Sequence, residues 1–240
     1  MIVLYYSDSL GLARPEVVGV KETYIYIFQQ WLRDSGVKDP VILNRARAAF
    51  TINKLYEVFK EDVEYITEQK DILIIHEGVC DCAPRPVSKK LRNVISILPS
   101  FIKIRVISLL HNKRAAILKR GWGSYLVKLP DYEIILKKWL TESISKFKRI
   151  YILTIAPTNT EIEAHSPGFS DSINRYNEVI RRVVSEINDD RIKIVDVYSL
   201  VNSLTNIDEY IIKEDGHHIT PKAHRLIADE LIGLEKKWQE

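Results

Sequence analysis

Five short apolar runs, at 2–6, 40–44, 71–76, 149–155 and 192–196, alternate with longer stretches whose apolar residues recur at helical spacing. Runs this short, bounded by polar turns, predict strands, and the stretches between them are long enough to cross a sheet and return. The alternation leads to parallel β-α-β units, hence to an α/β three-layer sandwich around a central, mostly parallel five-stranded sheet. Helices are expected at 22–34, with Gly36 as a stop, and at 52–66, where Leu55, Val58, Phe59, Val63 and Ile66 share one face. Others are expected at 131–147, at 171–187, and from Pro221 towards Trp238. Thr220 can cap the last one, and Pro221 suits its first turn.

A chain of 240 residues can bury a large core without disulfides or metals. No repeat, low-complexity tract or linker divides it, so residues 1–240 read as one domain. Apolar residues make up 46% and charged residues 28%, as in ordinary soluble proteins. A net charge of +3 excludes a polycation devoted to nucleic acid. Cys80 and Cys82 are too close in sequence to pair well, and two thiols cannot complete a four-ligand zinc site. A reducing compartment, no metal and no cofactor follow as expectations. Ile2–Tyr6 has no basic lead-in and is too short for a signal segment. No apolar run approaches a membrane span, and a cytoplasmic protein is expected.

In parallel α/β sheets ligands bind beyond the carboxyl ends of the strands. Ser9, the Asn44–Arg47 turn, the Gly78–Arg85 loop and the Thr158–Asn159 loop all follow strands, so they are expected on one edge. A serine hydroxyl is a poor nucleophile until an imidazole takes its proton, and that imidazole needs a carboxylate to fix its tautomer. Asp215-Gly216-His217-His218, just before the last helix, can provide both on one tight turn. The three-residue spacing favours His218 as base over His217. The plain alternative for Ser9 is a turn serine that caps the first helix.

Ser7-Asp8-Ser9-Leu10 resembles the Gly-Asp-Ser-Leu block of the SGNH (GDSL) hydrolases, and Asp215-Gly216-His217-His218 resembles their closing Asp-x-x-His block. The strings 8–15 and 78–85 are similar to a bacterial subgroup associated with surface-polysaccharide genes. The resemblance implies a flavodoxin-like SGNH hydrolase fold and a serine esterase using Ser9 as nucleophile, His218 as general base and Asp215 as its orienter. It also implies an oxyanion hole built from the Ser9 N–H, the Ala46 position and the Cys80 position. Two departures stand out. No glycine follows the second strand, and Cys80 stands where the family has an asparagine amide. A thiol is a weak donor, and loss of one oxyanion donor costs on the order of 10²–10³ in rate.

Arg14, Arg45, Arg47 and Arg85 lie in loops expected to border Ser9. They are either solvated or bracing charges, or a fork-shaped receptor for an anionic substrate such as an acylated acidic sugar or a phosphate-bearing carrier. Residues 87–130 hold ten Lys and Arg and no Asp or Glu, interleaved with apolar residues. This basic insertion is expected to be a helical cap with a basic outer face; the sharper reading is a surface that rests on anionic lipid or grips an acidic polymer. The expected function is hydrolysis of a small O-acyl ester on a saccharide or other anionic substrate. The alternatives are acyl transfer by the same residues, or a non-catalytic accessory role in polysaccharide assembly.

Overall fold

In the computed structural model, which describes residues 1–66 and 70–238, the apolar runs form β1 (Ile2–Ser7), β2 (Val41–Asn44), β3 (Lys70–His76), β4 (Phe147–Leu153) and β5 (Ile192–Val195). They lie in the order β2-β1-β3-β4-β5, and every pairing is parallel. The chain therefore leaves β1 towards one edge, then reverses across β1 to build the other side. The crevice between β1 and β3 is the switch point at which open α/β sheets hold ligands. Ser7 pairs with His76 there, so the segments that follow both strands emerge side by side.

Side chains alternate across a strand, and β1 shows how this sorts the helices. Tyr5 meets Tyr24 edge-on, on α1 (Tyr24–Asp34), which packs against α11 (Pro221–Lys237). Tyr6 points the other way, against Phe59 of α2 (Ile52–Tyr65) and Trp139 of α7 (Leu129–Ile144). α7 lies between α2 and α9 (Phe169–Ile187). Three layers result, with Trp139, Tyr5, Tyr6 and Tyr24 among the largest fully buried side chains.

The largest departures from expectation lie at α7 and β4. α7 begins two residues early and stops at Ile144, because Phe147 is buried as the first residue of β4 rather than the end of a helix. β4 accordingly ends at Leu153, and 154–156 continue as buried non-strand backbone. The sheet is wholly parallel.

Short helices α3 (Val79–Cys82), α8 (Thr160–His165) and α10 (Val197–Asn202) decorate the carboxyl edge and the β5 side. The insertion forms α4 (Lys89–Ser96), α5 (Ser100–Asn112) and α6 (Arg114–Lys119), and α5 contributes no buried residue. No helix among the described residues is long and apolar enough to cross a membrane.

Candidate active site

At the end of β1 the backbone turns through a single 3-10 turn, Ser9–Gly11. Asp8 caps it by accepting the Leu10 N–H at 2.9 Å on one carboxylate oxygen. Its other oxygen accepts the Gly78 and Val79 N–H groups at 3.0 and 2.9 Å. One fully buried carboxylate thus clamps the Ser9 turn to the loop after β3. Gly78 has φ +121°, a conformation that L side chains rarely adopt, and this lets its N–H turn back to Asp8. Gly11 is required for a different reason. A Cβ there would sit 1.7 Å from the Tyr5 hydroxyl and 2.5 Å from Ser7 Oγ.

The Asp215–His218 turn arrives opposite. Ser9 Oγ lies 2.9 Å from His218 Nε2, and His218 Nδ1 lies 2.8 Å from Asp215 Oδ2. A carboxylate can only accept, so Nδ1 carries the proton and Nε2 presents its lone pair towards Ser9. The His218 N–H also bonds Asp215 Oδ1 at 3.0 Å. Partial burial pushes the Asp215 carboxyl up, but these bonds outweigh it and hold the group well below the usual carboxylate range. Ser9 and His218 are both nearly buried, at 8% and 7% exposed, so the hydroxyl and imidazole meet largely away from water.

Asn159 fixes the turn from beneath, receiving it through Asn159 N–H to Gly216 O at 3.0 Å and capping α8 with its side chain. Gly216 has φ +72°, and a Cβ would meet Asn159 Oδ1 at 2.6 Å. The His217 ring packs against the His218 ring at a tilt of 44°, 4.0 Å between centroids, and donates its own Nδ1–H to Asp215 O at 2.8 Å. Burial and the neighbouring His218 lower its pKa to about 4, so it stays neutral, and it makes no hydrogen bond to Ser9. Asp215, His217 and His218 bring three potential ligand atoms within 4.8 Å. Two of these atoms are engaged in the His218–Asp215 bond, which suits the set to proton relay.

The four arginines expected at the rim do not form one receptor. Arg14, held by its own bridge to Val18, places an N–H on His218 Nε2. Arg45 turns outward: its Nε and one terminal nitrogen bond both oxygens of Asp62 on α2, at 2.8 and 2.6 Å. A guanidinium paired with both oxygens of a carboxylate acts as a brace, and Arg45 ties the segment after β2 to α2. Arg47 is exposed and donates to Ala46 O. Arg85 lies in a separate cavity under the insertion.

The expected oxyanion positions divide similarly. The Ala46 N–H is given to Asn44 Oδ1 at 2.9 Å, which removes it as a free donor. The reason is local: an Asx turn at the end of β2 takes the N–H two residues on. Cys80 lies on α3 beside the Asp8 clamp, 8% exposed. Burial and the charges of Asp8 and Asp81 push its thiol up to about 12, so it stays protonated and is no nucleophile. A mixed cavity of about 610 Å³ opens beside the relay, lined by Arg14, Glu16, Val17, Ile212, Glu214 and Asp215 among others.

Sequence reasoning missed three supports. Asp8 was readable as the residue before the serine, but its reach to Gly78 and Val79 depends on β1 and β3 being neighbours. Asp81 accepts the first N–H of α2 at 3.2 Å, beyond its own loop. Beneath Ser9, Tyr5, Tyr24 and His76 form a buried chain through hydroxyl contacts of 2.5 and 2.9 Å.

Behind the clamp, Glu77 and Asp81 are both buried. Burial, together with Asp81's charge, raises the Glu77 carboxyl well above its usual range, and burial and Asp8 raise Asp81 to about 7. In the unfolded chain both ionise near pH 4. The folded state therefore holds protons that the unfolded state has released, and this stabilisation is lost as pH rises through the folded pKa values. His76, His217 and His224 are lowered to about 3, 4 and 3, mainly by burial, so they are neutral in the folded state, and above about pH 7.5 they are neutral in the unfolded state as well. Between about pH 7.5 and 8.5, where the imidazoles no longer contribute, the fold is expected to lose stability as pH rises, because Glu77 still holds a proton that the unfolded chain has released. Thermal unfolding across that range tests this: Tm falls for the wild type and flattens in Glu77→Gln, and a flat wild-type profile contradicts it.

Serine, imidazole and carboxylate at the carboxyl edge of a wholly parallel flavodoxin-like sheet define an SGNH-type hydrolase. Residues 36–231 match the model of the GDSL-like lipase/acylhydrolase family, and the chain belongs to that family. It is a carboxylic ester hydrolase, with small-molecule esters as substrates. No curated protein sequence matches it. Among solved structures it resembles a lipase/acylhydrolase from Enterococcus faecalis, with TM-score 0.66, 11% identity, and 98% and 95% of the two chains covered. It also resembles an acetylxylan esterase from Geobacillus stearothermophilus, with TM-score 0.62, 17% identity, and 96% and 92% covered. A G-D-S-L-family lipolytic protein from Veillonella parvula gives TM-score 0.57 at 12% identity, covering 97% and 96%.

Proposed function

We propose that the protein removes a small O-acyl group from a saccharide, with Ser9 as nucleophile, His218 as base and Asp215 as its orienter. The observation that carries this is the continuous line Ser9 Oγ–His218 Nε2 and His218 Nδ1–Asp215 Oδ2, at 2.9 and 2.8 Å. Ser9 Oγ attacks the acyl carbonyl while its proton passes to Nε2, and the imidazolium then protonates the departing sugar oxygen. Water, deprotonated by the same Nε2, attacks the acyl-serine and releases the acid and free Ser9. The tetrahedral oxyanion receives the Ser9 N–H, with Arg14 turning from Nε2 to add positive charge. Arg14 and Ser9 compete for one lone pair, so Arg14 must yield for Nε2 to take the proton.

The acyl group is small because the cavity beside the relay has a mixed wall. Arg14, Glu16 and Glu214 alternate with Ala13, Pro15, Val17 and Ile212, which suits sugar hydroxyls and not a long alkyl chain. Likeness to an acetylxylan esterase points the same way. With p-nitrophenyl esters, kcat/KM for acetate is expected to exceed that for octanoate at least roughly tenfold, because the wall offers no apolar trough. Acetate release from acetylated oligosaccharides tests the alcohol. A preference for octanoate, with no acetate released, would make this a lipid esterase.

The helical insertion supports contact with an anionic membrane surface. Ile97, Phe101, Ile104 and Trp122 are 81, 66, 67 and 66% exposed, and no acidic residue dilutes the surrounding Lys and Arg. Vesicles containing about a third anionic lipid are expected to carry the protein upward in flotation at low salt, and neutral vesicles are not. Flotation that ignores both lipid charge and salt would retire this contact.

A further inference from the structure

The cavity under the insertion has a composition that ester hydrolysis does not require. It measures about 390 Å³ and is lined by Arg85, Arg92, Arg114, Lys103 and His111, with Val87, Ile95, Ile107 and Leu110 as apolar wall. No lining residue is acidic, and residues 87–130 contain no Asp or Glu at all. Three guanidiniums drawn together without a counter-charge repel one another, and folding tolerates that only where something else in the structure fixes them.

Each is fixed. Arg85 is pinned by a two-way backbone bridge to Ser124, at 2.8 and 2.9 Å, and Ser124 Oγ in turn bonds Val87 O at 2.8 Å. Arg114 spends Nε on Ser166 Oγ and one terminal nitrogen on Pro84 O, both at 2.7 Å. The Nε atoms of Arg85 and Arg92 are buried and have no hydrogen-bond partner among the described residues. Their mutual proximity shows electrostatically as well. Burial and the Arg92 charge lower Arg85, and burial and the Arg85 charge lower Arg114. Buried donors left unpaired are costly unless a ligand completes them.

We propose that this cavity is a binding site for a phosphate monoester carried on an apolar chain. Three forked guanidiniums can engage the several oxygens of a dianionic phosphate, more than a single carboxylate offers. Val87, Ile95, Ile107 and Leu110 receive the first part of the chain. None of the residues that line this cavity belongs to the Ser9 relay or to the cavity beside it. It does not rest on the catalytic reading.

Isothermal titration of the full chain carrying Ser9→Ala, which separates binding from turnover, tests it with dodecyl phosphate below its micellar concentration. Dodecyl phosphate is expected to bind at least tenfold more tightly than either inorganic phosphate or dodecanoate. Arg92→Gln is expected to weaken it at least tenfold. Arg92 makes no side-chain hydrogen bond among those described, so its loss leaves the fold's bonding intact, and an unchanged Tm confirms that. Arg92→Lys should recover part of the affinity by restoring charge without the fork. Equal affinity for inorganic phosphate would overturn the apolar-chain assignment. Equal affinity for dodecanoate would overturn the phosphate assignment, and unaltered binding by Arg92→Gln would overturn the site.

Discussion

Replacing Ser9 by alanine is expected to reduce kcat for any ester substrate by about 10⁴-fold or more, with KM nearly unchanged. The size follows from what the hydroxyl supplies. Without Oγ there is no acyl-enzyme, and His218 can at best activate a water that lacks the fixed 2.9 Å geometry. Residual rate would come from electrostatic stabilisation at the oxyanion position alone. Ser9 Oγ makes one side-chain hydrogen bond, to His218 Nε2, and Arg14 still donates to that nitrogen when the hydroxyl is gone, so stability should change by less than about 1 kcal/mol. Hydrolysis of p-nitrophenyl acetate, measured alongside Tm, separates loss of chemistry from loss of fold. Retention of a tenth of the activity by a folded Ser9→Ala protein would assign the reaction to another nucleophile.

The second large effect runs in the opposite direction. Cys80→Asn is expected to raise kcat by roughly ten- to a hundredfold, because an amide N–H₂ is a far better donor to an oxyanion than a neutral thiol. The thiol cannot compensate by ionising, since burial and the nearby Asp8 and Asp81 keep it protonated until about pH 12. A thiolate there would in any case repel the oxyanion. The gain should appear in kcat and leave KM within about threefold, as expected for a group that acts on the transition state. Unchanged kcat in a folded variant would mean that Arg14, not the residue at position 80, completes the hole.

Much of this architecture is legible in the sequence, for identifiable reasons. Five apolar runs and the helical periodicity between them are local patterns, and they suffice for the layers and the parallel sheet. Ser9 and Asp215–His218 could be picked out because each block is compact, with Gly216 marking the tight turn of the second. What was not legible depends on neighbours distant in sequence. Arg45 looks like a rim residue until α2 brings Asp62 to within 2.6 Å. Ala46 looks like an oxyanion donor until Asn44 folds back on its N–H. Asp8 acts as a clamp only because β1 and β3 are adjacent, which strand order decides and no local window contains. The arginine cavity is the same lesson on a larger scale. Arg85, Arg92 and Arg114 are spread over 30 residues, and only the packing of α4, α5 and α6 makes one pocket of them.

Ser9 as nucleophile is the claim from which the rest follows, and one labelling experiment reaches it directly. A fluorophosphonate probe should phosphonylate the wild-type protein once, with the adduct mapped by peptide mass spectrometry to Ser9, and His218→Ala should slow that labelling by about 10³-fold or more through loss of the base. Labelling that is absent in the wild type, or that falls on another residue and persists in Ser9→Ala, would contradict the account.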